Sequence, residues 1–206
     1  NTGLPLSSLI IQGVNTVSDP SLCHAIAIDA RGPRFDGGIV TRLDCVCFSI
    51  VVNDKGQRFY DEGEDFWPKR YAIWGRLVAQ QPDQIAYIVF DHSVLTSFMP
   101  SLFPPIRADT VGELAQKLQI PADTLEKTVS DFNGAVVDGT FDHTILDDCH
   151  TEGLDPPKTH WAQRLETPPY YAYPVRPGIT RGNYVRRTGI YCLVGYNKHL
   201  CVLGCS

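Results

Sequence analysis

The segment from Ile39 to Tyr60 constrains this chain more than any other. Ile39 to Val52 is rich in Val, Ile, Cys and Phe, residues that fit a pleated, half-buried surface. Asn53-Asp54-Lys55-Gly56 follows as turn chemistry and Gln57 to Tyr60 as a returning arm, so the segment predicts a β-hairpin. Next, Pro68 can occupy the first turn of a helix in which Trp67, Tyr71, Trp74 and Val78 recur at the spacing of one buried face. Ile85 to Phe90 predicts a short strand closed by Asp91 and His92. Thr110 and Glu113 form a capping-box pair ahead of Val111, Leu114, Ala115 and Leu118. Pro121 opens a further helix through Leu125, Val129 and Phe132, which Gly134 should end. After Val137 a polar, proline-containing stretch reads as loop until Tyr171, Tyr173 and Val175 alternate as a strand. The order strand, strand, helix, strand, helix, helix, strand implies an α+β fold.

Composition sets bounds on function. With 43% hydrophobic and 20% charged residues the 206-residue chain reads as globular rather than disordered. It has no apolar window of about 18 residues, so no membrane span is expected. Asn1 to Gln12 lacks a basic leader region, and the expected location is cytoplasmic. The net charge of −5 is unevenly spread, because residues 181–206 hold Arg181, Arg186, Arg187 and Lys198 and no acid. The remaining, more acidic body argues against nucleic acid as a partner. Seven cysteines at uneven spacing suit buried thiols better than a disulfide framework. Cys45 and Cys47, two apart in the predicted strand, should share one side and pack in the core. Cys192, Cys201 and Cys205 match no common zinc spacing, and no metal is expected there.

From about Asp19 to Thr180, roughly four fifths of the sequence, the chain resembles the capping region of the fumarate reductase and succinate dehydrogenase flavoprotein family. Val52-Asn53-Asp54-Lys55-Gly56-Gln57-Arg58-Phe59-Tyr60-Asp61-Glu62 is similar to that family's hairpin, N-x-x-G-x-R-F-x-N-E, with Asp61 in place of the usual Asn. Cys23-His24-Ala25, the stretch from Phe35 to Asp44, and Phe66-Trp67-Pro68-Lys69-Arg70-Tyr71 resemble the tricarballylate-oxidising branch more than the fumarate reductases. The resemblance implies an FAD-dependent dehydrogenase that takes a small polycarboxylate, tricarballylate to cis-aconitate, by hydride transfer to flavin. A fumarate reductase or succinate dehydrogenase type of activity is the neighbouring alternative.

Such chemistry needs cations to clamp carboxylates and a polar group to move a proton. The family keeps a proton-shuttling arginine just after its hairpin; the nearest match is Arg70, eight residues after Glu62, with Lys69 as rival. Thr41 falls at a substrate-binding threonine, and Arg42 stands where the family usually has an acid, which implies contact with an extra carboxylate. His24 lies near the family's substrate-site histidine in chain order. Without the resemblance, Arg42 and Arg70 read equally as exposed charges and His24 as a structural histidine.

No GxGxxG fingerprint occurs, so a capping domain without the Rossmann-type FAD domain is expected. The expected division is an irregular N-terminal segment at 1–18, the capping domain at 19–180, and a divergent basic, cysteine-containing tail at 181–206. FAD binding by the chain alone is not expected. A competing reading is a non-catalytic capping domain left by truncation or by a frame change after Thr180. A hydrolase using His92, His143 or His150 with a cysteine is disfavoured, since no nucleophile motif such as G-x-S-x-G is present.

Overall fold

The computed structural model describes residues 24–33 and 40–178 with their side chains. It also describes Ser8, residues 11–13, and the backbone of Ile179 and of short strands at Thr16–Val17 and within 184–203. The main elements are β1 (Ala25–Asp29), β2 (Ile50–Asn53), α1 (Trp67–Ala79), β3 (Ala86–Asp91), β4 (Ile106–Ala108), α2 (Val111–Leu118) and α3 (Ala122–Ala135). They continue with β5 (Val136–Val137), β6 (His150–Thr151) and β7 (Tyr170–Ile179).

β7 organises the central sheet. One of its edges pairs with β3 over residues 170–175, and β3 in turn pairs with β2. The other edge takes β4 at residues 170–172 and β1 at residues 175–179. Pro174 sits where that edge changes partner, and its carbonyl accepts from Ala30 N–H at 2.8 Å. A proline is tolerated there because its missing N–H falls in the gap between β4 and β1. Every pairing in this sheet is antiparallel, whereas a dinucleotide fold is built on parallel strands. The fold is α+β.

The sheet is covered on both faces. Val51, Ile88, Phe90, Tyr171, Tyr173 and Val175 point to the side of α1, where they meet Trp74 and Val78. Ile50, Val52, Val89 and Ala172 point the other way, onto Leu114, Leu118, Leu125, Val129 and Phe132 of the α2–α3 pair. The expected alternation of Tyr171, Tyr173 and Val175 is therefore present, and Phe90 stacks on both tyrosines at 5.5 and 5.8 Å. Gly75 lets α1 approach β1: a Cβ there would stand 2.6 Å from Ala25 C and Ile26 O.

Helix signals in the sequence are met closely. Thr110 Oγ1 accepts from Glu113 N–H at 3.1 Å, and Glu113 Oε2 accepts from Asp109 N–H at 3.0 Å, one residue outside the usual capping box. α3 runs one residue past Gly134 into β5.

The expected hairpin keeps its Asn53–Gly56 turn but is much shorter than expected. Residues 34–39 lie outside the described set, Thr41 to Leu43 runs beside β1 through an Arg42–Ile28 bridge, and Val46–Phe48 is a 3-10 turn. Only Ile50–Asn53 is strand, and its returning arm shrinks to one bridge, Val52 to Arg58. Side chains explain this: Asn53 Oδ1 accepts from Lys55 and Gln57 N–H, and Glu62 Oε1 takes the Val51 N–H at 2.7 Å that a second strand would have used. Cys45 and Cys47 are buried, as expected, but flank and enter the 3-10 turn rather than a strand. Among the described residues no helix is long and apolar enough to cross a membrane.

Candidate active site

The hairpin motif proves architectural. Arg58 and Glu62, four residues apart, form an ion pair whose side chains are 3% and 0% exposed. Arg58 also donates to the carbonyls of Pro156 and Pro157, and its guanidinium lies 5.3 Å from the Phe132 ring centroid. Beside it, the fully buried Lys158 donates to Cys47 O at 2.7 Å and Ser49 O at 3.0 Å, and burial pulls its pKa down. Asp61 accepts from Thr159 N–H and Oγ1–H and from Gly63 N–H, which ties the same loop to the turn after β2. An arginine, a glutamate and a lysine thus clamp the 156–160 loop onto the sheet.

Two of the sequence-predicted site residues, His24 and Arg42, share a partner where β1, the Thr41–Asp44 segment and the first turns of α1 meet. His24 immediately precedes β1, and its ring meets Tyr71 of α1 edge-on at 5.1 Å. Its Nε2 is buried without a partner, and desolvation lowers its pKa. Arg42 lies over the same Tyr71 ring at 5.6 Å. Its guanidinium grips Asp44 through Nε at 2.7 Å and Nη2 at 2.9 Å, which raises its pKa, and Asp44 Oδ1 also accepts from Trp67 Nε1 at 2.7 Å. His24, Tyr71, Arg42, Asp44 and Trp67 form one contiguous chain of contacts. A cavity of about 400 Å³ opens against it, with Arg42, Asp44, Trp67 and Tyr71 in its wall.

Thr41 and Arg70 stand apart from that chain. Thr41 is buried, its carbonyl accepts from Asp29 N–H at 2.8 Å, and its methyl group faces Gly32. Arg70, one position before Tyr71 on α1, donates to Glu64 Oε1 at 2.6 Å and keeps a buried Nε without a partner. Tyr60 donates to the other oxygen of Glu64, also at 2.6 Å; desolvation and that bond push the phenol up to about 12. Lys69 points elsewhere, into an exposed pair with Asp65. Glu64, Tyr60, Asp44 and Tyr71 were not singled out as site residues from sequence. The available signal was spacing: Asp44 lies two residues from Arg42 on an extended segment, which places both on one side.

A hydrolytic alternative finds no support in these surroundings. Cys45, Cys47 and Cys149 are buried, and burial raises all three thiols, Cys47 to about 11, the reverse of what a nucleophile requires. Among the described residues no group of three or more His, Cys, Asp or Glu side chains could hold a metal ion. The side chains of Cys192, Cys201 and Cys205 lie outside the described set.

Comparison with known proteins finds similarity to oxidoreductases. No family model matches the chain. It is 31% identical over 136 residues to a probable fumarate reductase of Shewanella frigidimarina, covering 64% of this chain and 20% of that one. It is 27% identical over 138 residues to an NADH:acrylate oxidoreductase of Vibrio harveyi, and 26% identical over 153 residues to a 3-oxosteroid 1-dehydrogenase of Mycolicibacterium smegmatis. These matches cover 63% of this chain and 12% and 27% of the relatives, so the chain spans only 12–27% of the length of the relatives it matches. The fold matches an open flavocytochrome c3 fumarate reductase with a TM-score of 0.53 at 23% identity, covering 93% of this chain and 32% of that one. It matches a 3-ketosteroid Δ1-dehydrogenase of Sterolibacterium denitrificans with a TM-score of 0.55 at 19% identity, covering 93% and 38%. The relatives are of the fumarate reductase and flavoprotein type, at low identity.

Proposed function

We propose that residues 19–180 are the substrate-capping domain of a cytoplasmic FAD-dependent dehydrogenase that oxidises a small polycarboxylate, tricarballylate to cis-aconitate. The described residues do not themselves fit FAD, since their sheet is antiparallel and no glycine-rich fingerprint is present. In this reading the flavin, which accepts the hydride, is held by another part of a larger protein. The chain's own residues bind and orient the acid. Arg42 meets a carboxylate at the end of the Tyr71–His24 chain, Thr41 fixes the segment that carries it, and Arg70 serves the proton removed from the neighbouring carbon. The observation that carries the reading is the convergence of His24, Tyr71 and Arg42 on one edge, with Arg70 next along α1.

Two substitutions in the full-length protein should differ in kind. Arg70→Lys is expected to lower turnover by roughly 10²–10⁴, the worth of an acid–base group. Arg42→Ala is expected mainly to raise KM, because it removes binding common to ground and transition states. Steady-state kinetics with tricarballylate and with succinate measure both. Near-normal turnover in Arg70→Lys would refute the assignment and point to Lys69.

A further inference from the structure

The cavity beside Arg42 holds more chemistry than the reading above uses. His24, Thr41 and Arg70 do not line it. Phe48, Phe66, Trp67, Tyr71, Phe98 and Trp161 do, and several of these rings already touch one another: Phe66 and Trp161 at 5.8 Å, Trp67 and Tyr71 at 6.4 Å. Its volume of about 400 Å³ is in the range of pockets that hold small organic molecules.

The charge of the lining decides what could enter. Among the described residues that line it, Arg42 and Asp44 carry formal charges that cancel in a two-point pair, and His143 is also in the wall. A polyanion can reach Arg42 from the cavity's edge, but seating its other carboxylates among the rings would leave them unpaired in apolar surroundings, which is strongly disfavoured. A flat apolar body would instead displace water from aromatic faces. One carboxylate could still be met: Asp44 occupies Nε and Nη2 of Arg42, Nη1 stands outside that pair, and the side chain is 44% exposed at the cavity's edge.

We propose that this cavity is a second ligand site, selective for planar aromatic monocarboxylates, with the ring among Trp67, Tyr71 and Phe98 and the carboxylate on Arg42. Because it shares Arg42 with the polycarboxylate group, its ligand competes with that substrate. The binding itself does not depend on flavin or on turnover.

Isothermal titration calorimetry of the full chain with 2-naphthoate as probe tests it. Saturable one-to-one binding is expected, with acetate, which carries the carboxylate without the ring, at least about tenfold weaker. Arg42→Gln should weaken 2-naphthoate about tenfold or more, a difference typical of one charge-assisted contact. Met99→Glu provides a second variant that does not disturb packing, since Met99 lines the cavity and is 77% exposed; its added negative charge should weaken binding comparably. Absence of saturable heat with 2-naphthoate, acetate binding as tight as 2-naphthoate, or unchanged affinity in either folded variant overturns the proposal. Failure of flavin turnover with tricarballylate would leave these heats unaffected, so the two readings fail separately.

Discussion

Removing Glu62 should unfold this domain far more readily than its place in a surface-like Arg-Phe-Tyr-Asp-Glu motif suggests. Its carboxylate is fully buried and accepts from Val51 N–H and from two nitrogens of Arg58. In Glu62→Ala the Arg58 guanidinium, 3% exposed, keeps only two proline carbonyls as partners. It also keeps the Lys158 ammonium nearby, whose charge Glu62 helps to balance. Breaking one side of a buried pair costs about 3–5 kcal/mol. With a urea slope of about 2 kcal/mol/M, the unfolding midpoint should fall by roughly 1.5–2.5 M without a change in slope. The double substitution Arg58→Met with Glu62→Leu should recover at least half of that loss, because an apolar replacement removes both desolvation costs. Equilibrium urea unfolding followed by tryptophan fluorescence measures all three proteins. A drop below about 0.5 M in Glu62→Ala would refute the claim that this motif holds the fold together.

Gly75→Ala should cost about 1–3 kcal/mol by forcing α1 away from β1, where the new Cβ would lie 2.6 Å from backbone atoms; thermal unfolding indistinguishable from the parent would contradict it. Stability should also fall at alkaline pH. Cys47, Tyr60 and Tyr173 have raised folded-state pKa values, so their contribution is complete below the unfolded values near 9 and 10 and is lost as pH rises through about 11 to 12; buried Cys45 is raised in the same direction. Lys158, lowered by burial, acts in the opposite sense, but it is a single group against several raised thiols and phenols. Urea midpoints at about pH 8 and about pH 11 should show the decrease, and a midpoint that holds or rises would contradict it.

The helical half of the fold was legible because its signals are local. Thr110 and Glu113 cap α2, Pro121 precedes α3, and the Trp74 and Val78 face of α1 is buried as its spacing predicts. The hairpin is shorter than expected because its extent depends on contacts between distant residues: Glu62 reaches back to Val51, and Arg58 is drawn to Pro156 and Pro157. A strand propensity over Ile39 to Val52 carries no sign that Lys158 will take the carbonyls of Cys47 and Ser49 and hold that stretch in a turn. At the candidate site, Arg42 and His24 were found through the resemblance. Their common partner Tyr71 was read only as part of a buried helical face, since a half-buried aromatic has the same spacing whether it meets the core or a ligand. The ion pairs that hold Arg42 and Arg70 were not legible either: Asp44 and Glu64 lie two and six residues away, and only the local backbone path decides that they meet.

The central claim, a capping domain that serves flavin-dependent oxidation of a polycarboxylate, is tested most directly by mixing the full-length protein anaerobically with tricarballylate and following flavin absorbance near 450 nm (roughly, a property of the cofactor). The account predicts bleaching in the parent protein that is slowed by roughly 10²–10⁴ in Arg70→Lys. A flavin-loaded protein that tricarballylate and succinate leave fully oxidised, or bleaching at the same rate in Arg70→Lys, would contradict it.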